Sequence, residues 1–503
     1  MSGPELDPTF TALPHRRLGD AALTRAHELG VSHADFRFER VRYQHLGVRD
    51  GVLQGASDAE DLGFAVRVIH AGAWGFASGV VLTPEEAVRV AERAVEVAQV
   101  AADMTSTPVE IAPEPVYDDV TWISAYDVNP LEVPATEKAT LLIDWTNRLR
   151  TGAAVDHASA FLQQVQENKY YADLAGTRTT QQRVRVHPGF EAMGTGADHF
   201  DSMSSIAPPA ARGWEYLTGG WDWDDEIDQV PELLAEKLKA PSVEAGAYDL
   251  VIDPSNLWLT IHESIGHATE LDRALGYEAN YAGTSFATYD KRGTLQYGSP
   301  VMNITGDRTV AHGLATVGYD DEGVQTQSWD IVEDGLFVGY QLDRAMGHMK
   351  PELNDGRSNG CAYADSPGHI PIQRMANVSL QPEPHGPSTE ELIARVERGL
   401  YVVGDKSWSI DMQRFNFQFT GQRFYKITDG ELVGQLRDVA YQATTTDFWN
   451  SLEAVGGPQT WVLGGAFNCG KAQPGQVASV SHGCPTSLFR DIRILNTSDE
   501  AGH

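Results

Sequence analysis

The stretch YDLVIDPSNLWLTIHESIGHATELDRALG (residues 248–276) decides how the rest of the chain is read. It opens on a short apolar strand signal (Leu250, Val251, Ile252), turns at Asp253-Pro254 and continues as one long helical pattern. Ser255 or Asn256 can cap that helix, and Gly276 suits its C-terminal end. Within it His262, Glu263 and His267 are spaced as HExxxH. Two neutral imidazoles and a carboxylate on one helical segment are what a catalytic zinc site requires. The common HExxH spacing sets its histidines at i and i+4, on one face. Histidines five apart are instead rotated by roughly 140° in a regular helix. Both reach one metal if the helix takes up an extra residue as a π-bulge. Gly266, directly before the second histidine, makes such a distortion cheap. The competing reading is two unrelated histidines on an ordinary helix.

Outward from this stretch, composition narrows the classes of function. A chain of 503 residues is expected to fold as two or three domains with ample cores. Its net charge of −32 argues against nucleic acid, because there is no basic footprint to neutralise phosphates, and would repel anionic membranes. The first twenty residues carry neither the charged start nor the apolar run of a signal peptide, and no apolar segment approaches a membrane span. Three cysteines (Cys361, Cys469, Cys484) are too few, and odd in number, for a disulfide framework. A cytoplasmic, reduced protein is expected.

Upstream, residues 18–30 have helical character and a glycine stop. Residues 33–42 alternate as a half-buried strand does, and 43–48 continue the pattern. Residues 62–76 read as two strands joined by a tight turn at Ala71-Gly72. Thr83-Pro84-Glu85-Glu86 then opens a helix that runs to about Met104, with threonine as N-cap, proline at the first position and glutamate completing a capping box. Residues 107–133 read as a connecting segment. A second helix is expected over 135–151, followed by strands near 158–167, 169–174 and 177–186. The Trp- and Gly-rich run GWEYLTGGWDWDD (213–225) fits core aromatics at a domain junction better than a peptide groove. A short helix near 226–239 leads to Pro241. The order of elements predicts an α+β domain with an antiparallel sheet over residues 1–240.

Downstream of Gly276, short strand signals recur at 301–305, 315–317, 331–338, 375–380, 400–403, 416–426 and 461–463, and residues 388–399 read as a capped helix ending in glycine. Residues 241–503 are therefore expected to form a mostly-β domain wrapped around the HExxxH helix, making the whole an α+β protein.

Three stretches in this half carry a resemblance to a known family. HESIGHATELD (262–272) matches the pattern HExxGHxxExD, DGRSNGCAYADSPGHIPIQRMANVSL (355–380) matches a Gly-Arg, Tyr, Pro and Arg-Met-x-Asn segment, and FNCGK (467–471) matches a short Cys-Gly-Lys loop. In these the chain resembles the TldD/PmbA family of peptidases, and within it the TldD-type subunit that retains the metal motif. GAWGFAS (72–78) agrees more loosely, and SHGCPTSLFRD (481–491) departs from the pattern. The residues alone do not choose a third ligand, since Cys484 beside His482 has the same chemistry as Cys469. The resemblance implies Cys469, and leaves Cys361 and Cys484 as buried small hydrophobes.

The expected site then consists of His262, His267 and Cys469 as ligands to Zn²⁺, with one position open, and Glu263 as the general base that relays a proton to the leaving amine. Glu270, one turn after His267, can orient an imidazole or face solvent. Arg357, Tyr363 and Arg374 are candidates for binding substrate backbone or the oxyanion, or for structural ion pairs. The resemblance further implies a peptidase of unfolded or short peptides, including modified peptide precursors, paired with a TldE/PmbA-type paralogue in a heterodimer or with itself in a homodimer. Two other classes share these residues in whole or part, a non-catalytic assembly subunit and a zinc amidase on a non-peptide substrate.

Overall fold

Long antiparallel hairpins build the first half of the chain, as its alternating runs require. The computed structural model describes residues 4–197, 199–471 and 474–500. His33–Arg49 and Val52–His70 pair along their whole length, then Ala73–Gly79 adds a third strand. Asp50-Gly51 and Ala71-Gly72 both take positive φ, which gives a two-residue hairpin loop the twist of its flanking strands. His157–Asp173 and Arg178–Thr195 form a second hairpin that joins the first through His33–Arg49. Phe200–Ser204 and the parallel strand Val120–Ile123 complete a seven-stranded sheet.

Several expected boundaries move. The strand over 33–48 is continuous as its pattern implies, and the strands split at residue 168 are one, because an unbroken partner supplies hydrogen bonds across the polar positions. The same pairing holds residues 52–60, which are exposed and give no strand signal. The expected connecting segment contains the 120–123 strand.

Two helix layers cover the sheet. His15–Glu28 and Pro84–Ala102 pack on Phe36, Phe38, Phe64 and Val66. Thr83 caps the second of these through Glu86 N, as expected, but the Glu86 carboxylate pairs with Arg89 and the Thr83 amide bonds Val81 O, so the expected box is half formed. Gly75 lies so close beneath it that a Cβ there would come within 1.9 Å of Ala94 O. Ala135–Leu149 and Trp223–Lys237 enclose a second cluster, in which Trp223 stacks on Trp145 at 4.8 Å between centroids. The Trp-rich run is thus core.

In the second half, Gly246–Ile252 lies between Arg398–Ile410, which is parallel to it, and Ser487–Asn496. Val439–Thr444 follows, then Asn416–Thr428, which pairs back to Arg398–Ile410. The pairings close a circuit of five strands, with Glu431–Leu436 and Leu452–Val455 attached. A hairpin of Val462–Lys471 with Gln476–Cys484 and a four-stranded sheet containing Ile304–Asp307 and Asn377–Leu380 lie outside it. The segment from Pro254 to Leu271 is buried on nearly every side by these elements, so its polar side chains as well as its apolar ones lie inside the protein.

Two expectations fail here for identifiable reasons. Residues 315–317 are loop, since Arg308 and the Asn377 side chain satisfy the carbonyl and amide of the buried Ala315. The helix over 388–399 is only Thr389–Ile393, properly boxed by Ser388 and Glu391, because Arg398 already begins a strand.

The halves meet through buried ion pairs. Arg67 reaches Asp35 at 2.7 Å and Glu322 at 2.8 Å, and Lys169 reaches Asp321 and the Ala364 carbonyl, both at 2.7 Å. Among the described residues no helix is long and apolar enough to cross a membrane.

Candidate metal centre

The helical pattern after Asp253 is not one helix. Asp253 caps it through Ser255 N, an α-helix covers Pro254–Ile261, a π segment covers His262–Gly266 and a 3₁₀ turn covers His267–Thr269. At Glu270 the backbone turns extended (φ −75°, ψ 117°), and a last turn, Leu271–Ala274, follows. In the π segment His267 N–H bonds to His262 O, five residues back. This is the extra residue that the spacing demands, and it brings the two imidazole centroids to 4.7 Å.

Gly266 serves this geometry through space rather than through backbone freedom. Its φ and ψ are ordinary helical values (−52°, −60°). A Cβ there would lie 2.5 Å from Met375 Sδ. Carbonyls displaced from regular helical bonding find side chains instead. Gln341 donates to Gly266 O at 2.7 Å, Thr269 Oγ1 to Ile265 O at 2.9 Å, and the Tyr297 hydroxyl to Ser264 O.

Cys469 arrives from the 462–471 strand, where a register shift between Ala466 and Cys469 marks a bulge that re-aims the thiol. Its Sγ lies 3.6 Å from His267 Nε2. One ligand atom from each of His262, His267 and Cys469 falls within 4.8 Å of the others. Donors at zinc–nitrogen and zinc–sulfur bond lengths around one tetrahedral ion stand about 3.5 Å apart, so the set fits. Burial pushes the Cys469 thiol up to about 11, so a thiolate here needs a cation beside it. Arg374, fully buried, donates to Cys469 O at 2.6 Å and Gln476 O at 3.1 Å, tying the hairpin at this point.

Each imidazole has its proton placed by a neighbour. Glu270 Oε2 lies 2.9 Å from His267 Nδ1. Burial alone would raise the Glu270 carboxyl, but Lys471 and His267 hold it well below the usual range, so it accepts and His267 Nε2 keeps its lone pair. His482 Nδ1 lies 2.8 Å from Val378 O and must donate to it. The His482 Nε2 therefore accepts from His262 Nδ1, 2.7 Å away, leaving His262 Nε2 as the free donor atom. Burial lowers His482 to about 4 and keeps it neutral.

Glu263 is buried beside the first imidazole, and desolvation raises its carboxyl above the ordinary value. Arg414 opposes this with an ion pair to Glu263 Oε2. Arg414 sits at the tip between the 398–410 and 416–428 strands with φ +64°, a left-handed conformation rare for arginine. Arg414 and His482 are contacts sequence reasoning did not anticipate. His482 lay in the run that departs from the family pattern, whereas nothing around Arg414 marks it. Lys471 closes the quoted FNCGK loop and bonds Glu270 at 3.2 Å and Asp272 at 2.8 Å.

Of the remaining candidates, Arg374 and Glu270 join the cluster, and Arg357 and Tyr363 sit elsewhere. Arg357 pairs with Glu114 at 2.6 Å. Tyr363 bonds Glu167 at 3.1 Å and lies over Lys169, in the ionic seam between the halves. Cys361 and Cys484 are buried free thiols.

A groove of about 520 Å³ runs between the halves, lined by Phe161, His187, Trp258 and residues 464–467. The 462–471 strand has a partner on one edge only in the described sheets.

Comparison with known proteins agrees with this architecture. A family model described as the PmbA/TldA metallopeptidase C-terminal domain matches residues 245–496, and one described as PmbA/TldA metallopeptidase domain 1 matches residues 34–98. A metalloprotease of Methanocaldococcus jannaschii is 26% identical over 84% of this chain and 89% of its own length. A zinc metalloprotease TldD homolog of Saccharolobus solfataricus is 22% identical over 94% of this chain and 98% of its own. Among solved structures, TldE from Thermococcus kodakarensis has the same fold at a TM-score of 0.70 and 16% identity, covering 95% of this chain and 99% of that one.

Proposed function

This chain belongs to the TldD/PmbA family of metallopeptidases, and from that premise we propose that it is a zinc-dependent peptidase. Its substrates are unfolded or short peptides, modified peptide precursors among them. What supports the reading is the meeting of His262, His267 and Cys469 at one point with the buried carboxylate of Glu263 beside them.

In this reading His262 and His267 hold the ion through Nε2, and Cys469 holds it as thiolate. A bound zinc supplies Lewis acidity towards a carbonyl and a more acidic water. Glu263 takes the proton from the attacking water and hands it to the leaving amine. Arg414 keeps that carboxylate ionised and oriented in a site that otherwise favours its neutral form. Glu270 and His482 fix the two imidazole tautomers.

Residues 464–467 of the 462–471 strand line the groove, and the strand's unpaired edge would offer backbone donors and acceptors to an extended peptide, with Trp258, Phe161 and Phe467 as apolar walls. Binding through main chain gives affinity with little side-chain selectivity. We assign residues 1–240 as the domain that forms the roof of this groove and 241–503 as the catalytic domain. The likeness of fold to a TldE protein supports pairing with a TldE-type paralogue that encloses the site. A reduced, cytoplasmic setting suits the three free thiols.

The test is metal content and hydrolysis of an unfolded peptide, with wild type beside Glu263→Ala. The reading expects about one zinc per chain in both proteins and cleavage only by wild type. Zinc without cleavage calls for addition of the paralogue. Failure to retain zinc when it is supplied would sink the site assignment.

A further inference from the structure

A second cavity, of about 860 Å³, lies between the halves with Lys471 in its wall. Trp74, Met346, Pro371 and Ile372 give it apolar sides. Five carboxylates also face it, Glu278 and Asp343 among them, against the two cations Arg67 and Lys471.

Both cations are already committed. Arg67 is bound by Asp35 and Glu322 and lies over the Trp74 ring at 4.4 Å. Lys471 is shared by Glu270, Asp272 and Gln373. Glu278 is left over. It is 3% exposed, and neither carboxylate oxygen has a hydrogen-bond partner. Oε1 has only long contacts, 3.5 Å to Arg273 Nε and 3.6 Å to Lys471 Nζ. Asp343 uses Oδ1 to cap Met346 N. Burial, with Glu322 and Asp272 nearby, pushes its carboxyl up to about 7. A buried carboxylate without a partner is costly, and a cation entering the cavity removes that cost.

The shape of the charge selects the kind of cation. Among the described residues, the donor atoms close enough to share a metal ion are those of His262, His267 and Cys469, so these carboxylates do not form a metal cage. Carboxylates set among Trp74, Met346 and Ile372 suit instead a group with an apolar stem and a charged end.

We propose that this cavity binds an aliphatic chain ending in an ammonium or guanidinium group, the chemistry shared by lysine and arginine side chains and by free alkyl amines. Lys471, in its wall, also bonds Glu270, which bonds His267, so two side chains link the cavity to the His262, His267 and Cys469 cluster. The proposal does not depend on the peptidase reading, because binding is scored without turnover.

The experiment is titration calorimetry on full-length Glu263→Ala protein with butylguanidinium, and with a short peptide carrying arginine or, at the same position, uncharged citrulline. Saturable binding of butylguanidinium is expected, weakened about tenfold or more by Asp343→Asn and by Glu278→Gln, each of which removes one charge-assisted contact. Asp343→Asn keeps the oxygen that caps Met346, so it guards against a loss that merely reports misfolding. A preference for arginine over citrulline that Asp343→Asn abolishes assigns the ligand to a peptide side chain. Binding of butylguanidinium with no such preference assigns it to a free amine. No binding of butylguanidinium, or binding that neither substitution weakens, overturns the proposal.

Discussion

His262 and His267 are held by different kinds of partner, one by a neutral imidazole and the other by a carboxylate. If His482 sets the His262 tautomer, His482→Ala weakens zinc binding about 10- to 100-fold. His482→Gln, whose amide oxygen can still accept, loses less. Competition against a chromophoric chelator measures both, and equal affinity in all three proteins would remove His482 from the site. Arg414 is read through pH. Burial raises the Glu263 carboxyl and the Arg414 charge opposes that rise, so Arg414→Met raises it further. Since the proton acceptor must be ionised, the acid limb of kcat/KM is expected to move to higher pH in Arg414→Met. An unmoved limb would mean that Glu263 is not the group titrating. Glu263 and both histidines were legible from spacing alone. The His482 and Arg414 contacts were not, because 220 and 151 residues separate the partners and only the closed strand circuit and its neighbouring hairpin bring them together.

The π segment is the element on which the site turns, and a five-residue histidine spacing announced it. Its cause was less visible. The Met375 thioether, not backbone conformation, is what a Cβ at 266 would meet first. Gly266→Ala is therefore expected to destabilise the protein by about 1–3 kcal/mol through overpacking, with part of the loss recovered in Gly266→Ala/Met375→Ala. Denaturant unfolding of the three proteins checks this, and no recovery in the double variant would point back to the backbone. Strand ends were harder to read than helix caps. Thr83-Pro84 and Ser388 state their own boundaries in local hydrogen bonds. Residues 52–61 are strand only because residues 41–49 lie alongside.

Between the halves, Arg67 joins Asp35 of the first sheet to Glu322 of the second half, all three buried. Burial alone would raise the Asp35 carboxyl, but Arg67 and His33 hold it down to about 2. A carboxyl depressed below its unfolded value of 3.8 contributes stability that is present above that pH and is lost as pH falls towards about 2. Arg67→Met strands two buried carboxylates and is expected to cost about 3–5 kcal/mol at neutral pH. Its further loss of stability between pH 4 and pH 2 is expected to be smaller than in wild type, because the depressed pKa is gone. Unfolding midpoints across that range test both parts, and parallel pH curves would show that Arg67 does not set the Asp35 pKa.

By itself the sequence determined the α+β class, most helices and hairpin turns, and the HExxxH spacing of His262, Glu263 and His267, since each follows from period, caps and spacing along the chain. Which groups hold the imidazoles, and where Arg357 and Tyr363 lie, were decided by tertiary structure alone, which also carries Cys469, implied beforehand only by family resemblance, to the two histidines. Cys469, Cys484 and His482 carry the same chemistry on one hairpin. The bulge between Ala466 and Cys469 turns that thiol to the imidazoles, while Cys484 lies against the Pro254 carbonyl. A side chain's direction across a sheet depends on register with a distant strand, and no local pattern encodes it.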